Sequence, residues 1–502
     1  MRRLILGAAA ALLSTPASAA TCESLAGETL ADTKIAAAVE TAPFSNTDPM
    51  FGPFKVETSF CRVSGTIAPA IKFEVWLPEP GAWNGKLQGV GNGGVAGSIA
   101  EGSLASALGR GYAAVSSNLG HDGGPIDFDF AIGHPELVSD WGHRATHAMT
   151  VVAKAAVEAY YGKPPARSYF TGCSGGGRQG LMEAQRYPAD YDGIVAGDPT
   201  ADFTRLTLGG RLWEAIATLK DPSHYIPASK VPVIAAATVA ACDGLDGVKD
   251  GVIDDPRQCK FDPATIQCKS GDGPDCLTEG QVAALKTIYA GSSSSDGKPI
   301  FPGYMPGGEL GPAGWASYVS GPAPGKASQL LYGGNFARGM VMEKPDYDPL
   351  TFDYDRDMPK AIEKLSKVID ATNPNLAAFK ARGGRLIQYH GWSDPGVSPL
   401  SSVSYYTTVG ERLHGDPSGF YRLFMVPGMQ HCVGGPGPDH FDALAALEQW
   451  VEHGKVPDRI VATHLTDGKP DRTRPLCPYP QMAKWDGKDS TDQAESFVCG
   501  KP

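Results

Sequence analysis

Residues 71–77, Ile-Lys-Phe-Glu-Val-Trp-Leu, alternate apolar and polar side chains. That period-two pattern predicts a strand with one buried face. Lys86 to Val90 reads as a second strand and runs into Gly91-Asn-Gly-Gly94. The short apolar run Tyr112 to Ser116 fits a buried strand. His143 to Tyr160 predicts a helix whose Ala148, Val151, Val152, Ala155, Ala156 and Ala159 give a small-residue face. Ser168 to Thr171 predicts a strand, followed by a glycine-rich turn and the helix Arg178 to Arg186, and Ile194 to Ala196 a further strand. Strands alternating with helices imply an α/β fold on a mostly parallel sheet.

The pattern changes over roughly 201–372. Gly/Pro turns and Ser292-Ser-Ser-Ser295 surround two helical stretches, Val231 to Ala241 and Thr278 to Tyr289. We read this region as a domain inserted into the α/β core. The alternation then resumes: strand Arg385 to His390, helix Tyr405 to Leu413, strand Tyr421 to Val426 and amphipathic helix Phe441 to Glu452. The expected organisation is a core of 20–200 and 373–502 split by a lid of 201–372.

Arg2 and Arg3 precede the apolar run Leu4 to Leu13, and Ala17-Ser18-Ala19 follows. Charge, short apolar run and small-residue site predict a signal peptide over residues 1–19, too short to span a bilayer. No later stretch is expected to span one, so the protein is expected to be secreted or periplasmic. An oxidising compartment makes the ten cysteines an even set available for five disulfides. The 44 Lys+Arg against 55 Asp+Glu give a net charge of −11, which argues against nucleic acid as a partner. Oligomeric state is left open by the sequence.

Gly172-Cys173-Ser174-Gly175-Gly176 fits G-x-S-x-G between a predicted strand and a predicted helix, the context of a nucleophile elbow. In such a fold the acid and the base follow on loops after later strands. His390-Gly-Trp-Ser-Asp394 offers Asp394, and Gly428-Met-Gln-His431 offers His431. Cys173 precedes Ser174 and Cys432 follows His431. A bridge between these cysteines would set the nucleophile and base backbones side by side; the alternative is another pairing, with the adjacency accidental. Gly175 is the expected first oxyanion donor, and either Gly93 or Gly94 the second. His143 and His147 stand four apart on the predicted helix, but the sequence shows no third metal ligand beside them.

Between Cys242 and Cys259, aspartates at 243, 246 and 250 alternate with glycines. Hard oxygen donors crowded on one loop suit Ca²⁺, although the spacing is not that of an EF-hand. A structural role is expected, because a serine nucleophile needs no metal.

Taken together, Gly91-Asn-Gly-Gly94, Gly172-Cys-Ser-Gly-Gly-Gly177, the loop 243–252, His390-Gly-Trp-Ser-Asp394 and His431-Cys-Val-Gly-Gly-Pro436 resemble the tannase and feruloyl esterase family across nearly the whole mature chain. The resemblance implies an α/β-hydrolase core with a large inserted lid and the Ser174, Asp394, His431 triad. It implies bridges Cys173–Cys432, Cys22–Cys61, Cys242–Cys259, Cys268–Cys276 and Cys477–Cys499. Its calcium ligands would be Asp243, Asp246 and Asp250 with the carbonyls of Val248 and Val252. Substrates would be small esters of aromatic acids of hydroxycinnamoyl, galloyl or terephthaloyl type. Trp315, Tyr318, Phe336 and Arg338 are candidates for the lid's aryl pocket. Two other readings compete with this serine carboxylesterase: a peptidase or amidase on the same fold, and a calcium-stabilised secreted binding protein without catalysis.

Overall fold

A computed structural model describes residues 20–49, 52–311 and 314–501. The predicted signal peptide lies outside them. Ten strands form the central sheet: β1 (Thr29–Leu30), β2 (Thr33–Glu40), β3 (Phe60–Ile67), β4 (Ile71–Pro78), β5 (Lys86–Val90), β6 (Ala113–Ser117), β7 (Arg167–Cys173), β8 (Gly193–Gly197), β9 (Arg385–Gly391) and β10 (Tyr421–Val426). Their spatial order is β1-β2-β3-β4-β6-β5-β7-β8-β9-β10.

The six strands from β6 to β10 in this order pair in parallel, whereas β1 to β4 add an antiparallel edge joined through β4 and β6. The sheet is therefore mixed. Three of the antiparallel strands, β1, β2 and β3, have no counterpart in the elements expected from the sequence. The β2 core is Ile35-Ala-Ala-Ala-Val39 and β3 contains Gly65, residues with a weak alternation signal.

Five core helices cover the two faces: α1 (Glu101–Gly109), α2 (Ala145–Tyr161), α3 (Gly175–Arg186), α4 (Leu400–Arg412) and α5 (Ala443–His453). On one face Met149, Val152 and Val157 of α2, Leu181 of α3 and Val409 of α4 pack on Val75, Val115 and Phe170 of the sheet. On the other, Leu104 of α1 and Leu447 and Trp450 of α5 pack on Tyr169, Val195 and Phe424. Successive residues of one strand, Tyr169 and Phe170, thus enter opposite layers, as the strand period requires.

Between β8 and β9 the chain leaves the sheet. The inserted region carries helices Val231–Cys242 and Glu279–Ala290, whose Ile234, Leu285 and Ile288 form a separate apolar cluster with Trp315. Thr278 caps the second helix in a capping box with Gln281. Towards the two ends of this region Phe203 and Phe336 pack with Phe128 and Trp141 of the core, which fastens the insertion to it. Among the described residues, Pro222–Asp246 is long and apolar enough by length and composition to cross a membrane. In the fold it comprises several short helical pieces, with Val231 and Ile234 inside the lid cluster.

Candidate active site

Ser174 stands at the turn from β7 into α3 with φ +60° and ψ −118°. A non-glycine residue held there is strained, and its neighbours explain how the turn is kept. A Cβ on Gly172 would meet the Gly176 backbone at 2.6 Å, and one on Gly175 would meet the Gly94 carbonyl at 2.5 Å. Only glycine permits the elbow to sit so close to the 91–94 loop.

His431 follows β10 and Asp394 follows β9. The Ser174 hydroxyl lies 2.8 Å from His431 Nε2, and His431 Nδ1 lies 2.7 Å from Asp394 Oδ2. Ser174 can donate to Nε2 while Nδ1–H donates to the carboxylate, the tautomer a general base needs. Asp394 Oδ1 accepts from the backbone N–H groups of Gly396 at 2.7 Å and Val397 at 2.9 Å. Burial works against its charge. His431, and then His390, outweigh that, so the carboxyl is held well below the usual range.

Beneath the relay lies a second buried imidazole. His390 Nε2 is 3.2 Å from Asp394 Oδ2, and its Nδ1 is 2.6 Å from Ser402 Oγ. Asp198 accepts from the Gly391 N–H at 2.9 Å and sits 3.7 Å from His390 Nε2. Burial raises the Asp198 carboxyl well above its ordinary value; His390 opposes this and Asp394 adds to it. His390 stands in the His-Gly-Trp-Ser-Asp motif, but nothing local in the sequence assigns a role to it or to Asp198.

Five disulfides close the chain: Cys22–Cys61, Cys173–Cys432, Cys242–Cys259, Cys268–Cys276 and Cys477–Cys499. The second joins the residue before Ser174 to the residue after His431, with Cα atoms 6.0 Å apart.

A cavity of about 490 Å³ opens over Ser174 and His431. The 91–94 loop lines it, and among the described residues neither the Gly93 nor the Gly94 N–H has an intramolecular hydrogen-bond acceptor. The opposite wall is aromatic. Tyr318 stands edge-on to the His431 ring at 6.4 Å, and Phe203, Tyr332 and Tyr389 complete the apolar lining.

Of the four lid candidates only Tyr318 reaches this cavity. Trp315 is buried in the lid's own core against Tyr289. Phe336 belongs to the aromatic cluster that fastens the lid. Arg338 binds the Tyr347 carbonyl and Asn335 and lines a different depression. Burial of their apolar surface against immediate neighbours outweighs exposure to a wet pocket. Arg211, which the sequence reading did not single out, lines the cavity instead. It is buried, donates from Nε to the Gly396 carbonyl at 3.2 Å and lies 4.4 Å over the Tyr332 ring. A lone arginine in the apolar run Leu206–Leu212 was the available signal.

The aspartate loop presents an all-oxygen donor set. Asp243 Oδ1 accepts from the N–H groups of Asp250 and Gly251, Asp246 Oδ1 from Val248 and Asp250 Oδ1 from Val252. These bonds fold the three carboxylates and the two valine peptides into one turn. Asp250 Oδ2 pairs with Arg474 and Arg472. Nearby Asp254 is buried, and its Oδ2 has no hydrogen-bond partner. Burial pushes Asp254 up to about 8, with Asp246 adding to it. Burial also raises Asp246, with Asp250 and Asp243 adding to it. Four carboxylates on one turn, one of them with an orphaned buried oxygen, are the donor chemistry a hard divalent cation takes.

The family model described as tannase and feruloyl esterase matches residues 55–500. An esterase of Xanthomonas campestris pv. campestris is 38% identical, over 98% of this chain and 93% of its own. The mono(2-hydroxyethyl) terephthalate hydrolase of Piscinibacter sakaiensis is 35% identical, over 93% and 89% respectively. Feruloyl esterase B from Aspergillus oryzae superposes with a TM-score of 0.87 at 28% identity, covering 95% of this chain and 99% of that one.

Proposed function

The chain belongs to the tannase and feruloyl esterase family and is a carboxylic ester hydrolase on an α/β-hydrolase fold, and from that premise we propose an exported serine esterase that cleaves esters of aromatic acids. The observation that carries the reading is the Ser174–His431–Asp394 chain at the foot of an aromatic-walled cavity.

Ser174 Oγ attacks the ester carbonyl carbon as its proton passes to His431 Nε2. The tetrahedral oxyanion is held by the Gly175 N–H and that of Gly93 or Gly94. His431 gives the proton to the alcohol oxygen, the C–O bond breaks, and an acyl-Ser174 remains. Water then attacks the acyl carbon while His431 takes its proton and returns it to Ser174 Oγ. Asp394 stays ionised and orients the imidazolium. Residues 1–19 act as an export signal, in keeping with five disulfides and no free cysteine among the described residues.

A Ca²⁺ ion would be held by Asp243, Asp246 and Asp250 with the Val248 and Val252 carbonyls. When bound, it neutralises the crowded carboxylates of the lid. It takes no part in bond making. The lid region 201–372 supplies Arg211, Tyr318 and Tyr332 to the wall of the cavity.

The test is the purified protein assayed on feruloyl, galloyl, p-coumaroyl and terephthaloyl esters beside matched amides, with a serine-directed phosphonate as label. Ester turnover with labelling at Ser174 is expected. Preferential amide turnover, or no label at Ser174, overturns the proposal.

A further inference from the structure

His143 and His147 were left without a third metal ligand by the sequence, and the structure separates them. His143 Nδ1 bonds the Tyr187 hydroxyl at 2.7 Å. His147, on α2, turns to the seam with α3, where its Nδ1 lies 2.6 Å from Asp190 Oδ2. Glu183 of α3 joins them: one ligand atom from each of His147, Glu183 and Asp190 lies within 4.8 Å of the others.

Glu183 is the anomaly of this seam. It is 1% exposed, and no N–H or O–H group of the described residues donates to either oxygen of its carboxyl group, which faces the Asp190 carboxyl. An unpartnered buried carboxylate costs several kcal/mol unless a proton or a cation compensates it. Lys154 acts on Glu183 only through space, since its ammonium donates to the Ala189 and Asp190 main-chain carbonyls.

The surroundings are those of a prepared site. The His147 ring stacks on Tyr187 with centroids 4.0 Å apart and planes within 4°, which fixes its orientation. Tyr187 is in turn held by His143. The His147 side chain is 35% exposed while the Asp190 side chain is 9% exposed, so the seam is open to solvent on one side only. One imidazole and two carboxylates with a solvent-facing position suit a borderline divalent ion completed by water.

We infer that His147, Glu183 and Asp190 form a second cation site, for Zn²⁺ or an ion of like chemistry, clamping α3 to α2. It is distinct from the aspartate loop in place and in ligand type. Because α3 begins at Ser174, the ion would stiffen the helix that carries the elbow without touching substrate.

The experiment is calorimetric titration of the full mature protein with ZnCl₂ in buffer already holding CaCl₂, so that the oxygen-only loop is satisfied first. Co²⁺ absorption serves as a spectroscopic readout. One Zn²⁺ equivalent is expected. Glu183→Gln and His147→Asn should each weaken it at least about tenfold, while Asp246→Asn leaves it unchanged. His147 is partly exposed, so its variant remains informative if the Glu183 variant does not fold. Absence of Zn²⁺ binding in the wild type, or binding unaffected by either substitution, overturns the site and leaves Glu183 as a protonated buried acid.

Discussion

Two groups of buried carboxylates invite comparison. At the carboxyl end of the sheet, Asp394 is fully buried yet keeps its charge. Two backbone N–H groups serve one oxygen and two imidazoles approach the other. In the aspartate loop burial raises both Asp246 and Asp254, with Asp250 and Asp243 adding to the first and Asp246 to the second, and Asp254 Oδ2 is orphaned. The first group is neutralised by the protein's own donors. In the second, backbone N–H groups and two arginines serve Asp243, Asp246 and Asp250, but Asp254 Oδ2 has no donor. The difference teaches that burial alone does not leave an acid uncompensated: what counts is whether donors reach each of its oxygens.

The hardest blow to the self-satisfied group is Asp394→Asn, which removes the charge and leaves the shape. It should lower kcat by about 10⁴, as loss of tautomer control does in serine triads, with far-ultraviolet dichroism unchanged. A fall of less than tenfold would mean that His390 or Asp198 substitutes for it. Next in size is the double variant Cys173→Ala with Cys432→Ala. The bridge closes a long loop and holds Ser174 beside His431, so kcat should drop sharply. Stability should fall by about 2–5 kcal/mol, read from urea midpoints. Full activity in the double variant would refute the orienting role.

Chelation probes the other group. With EGTA the wild-type Tm should fall by a few degrees, because a ligand that binds only the folded state stabilises it by mass action. The kcat measured well below Tm should change little. If chelation abolished activity at low temperature while Tm stayed fixed, the loop would serve the chemistry rather than the lid. Asp246→Asn should reproduce the chelated Tm and make further EGTA ineffective.

Much of this contrast was legible in the chain, because it rests on local signals. G-x-S-x-G between strand and helix located the elbow, and the strands ending before Asp394 and His431 gave loops at one sheet edge. Strand Tyr421–Val426 appears with the expected bounds, and the helix expected from His143 begins as a π turn at Asp140–Arg144 before α2. Long-range satisfaction was not legible. That Asp198 reaches Gly391, that Arg211 crosses to Gly396, or that Trp315 turns inward depends on which segments the fold brings together. Likewise the alternation of β2 is nearly silent because alanine is indifferent to either face. Its pairing with β3 is decided by the sheet.

The smallest expected effect concerns acid. Asp394 has a folded-state value below its unfolded value of about 3.9. Between the two, the unfolded chain binds the proton that the native carboxylate refuses. Stability from Asp394 is therefore fully present above about pH 4 and is lost as pH falls through the native value. Asp394→Asn should be less stable than wild type at pH 7, and the gap should shrink towards pH 3, by on the order of 1 kcal/mol. Because this carboxylate is satisfied by His431, His390 and two peptide N–H groups, the shrinkage should be the same in CaCl₂ and in EGTA. Urea midpoints of both proteins from pH 3 to 7 in each buffer measure it. A pH dependence that differed between the two buffers would mean that the two groups are coupled, and that the lid ion reaches the charge balance of the triad after all.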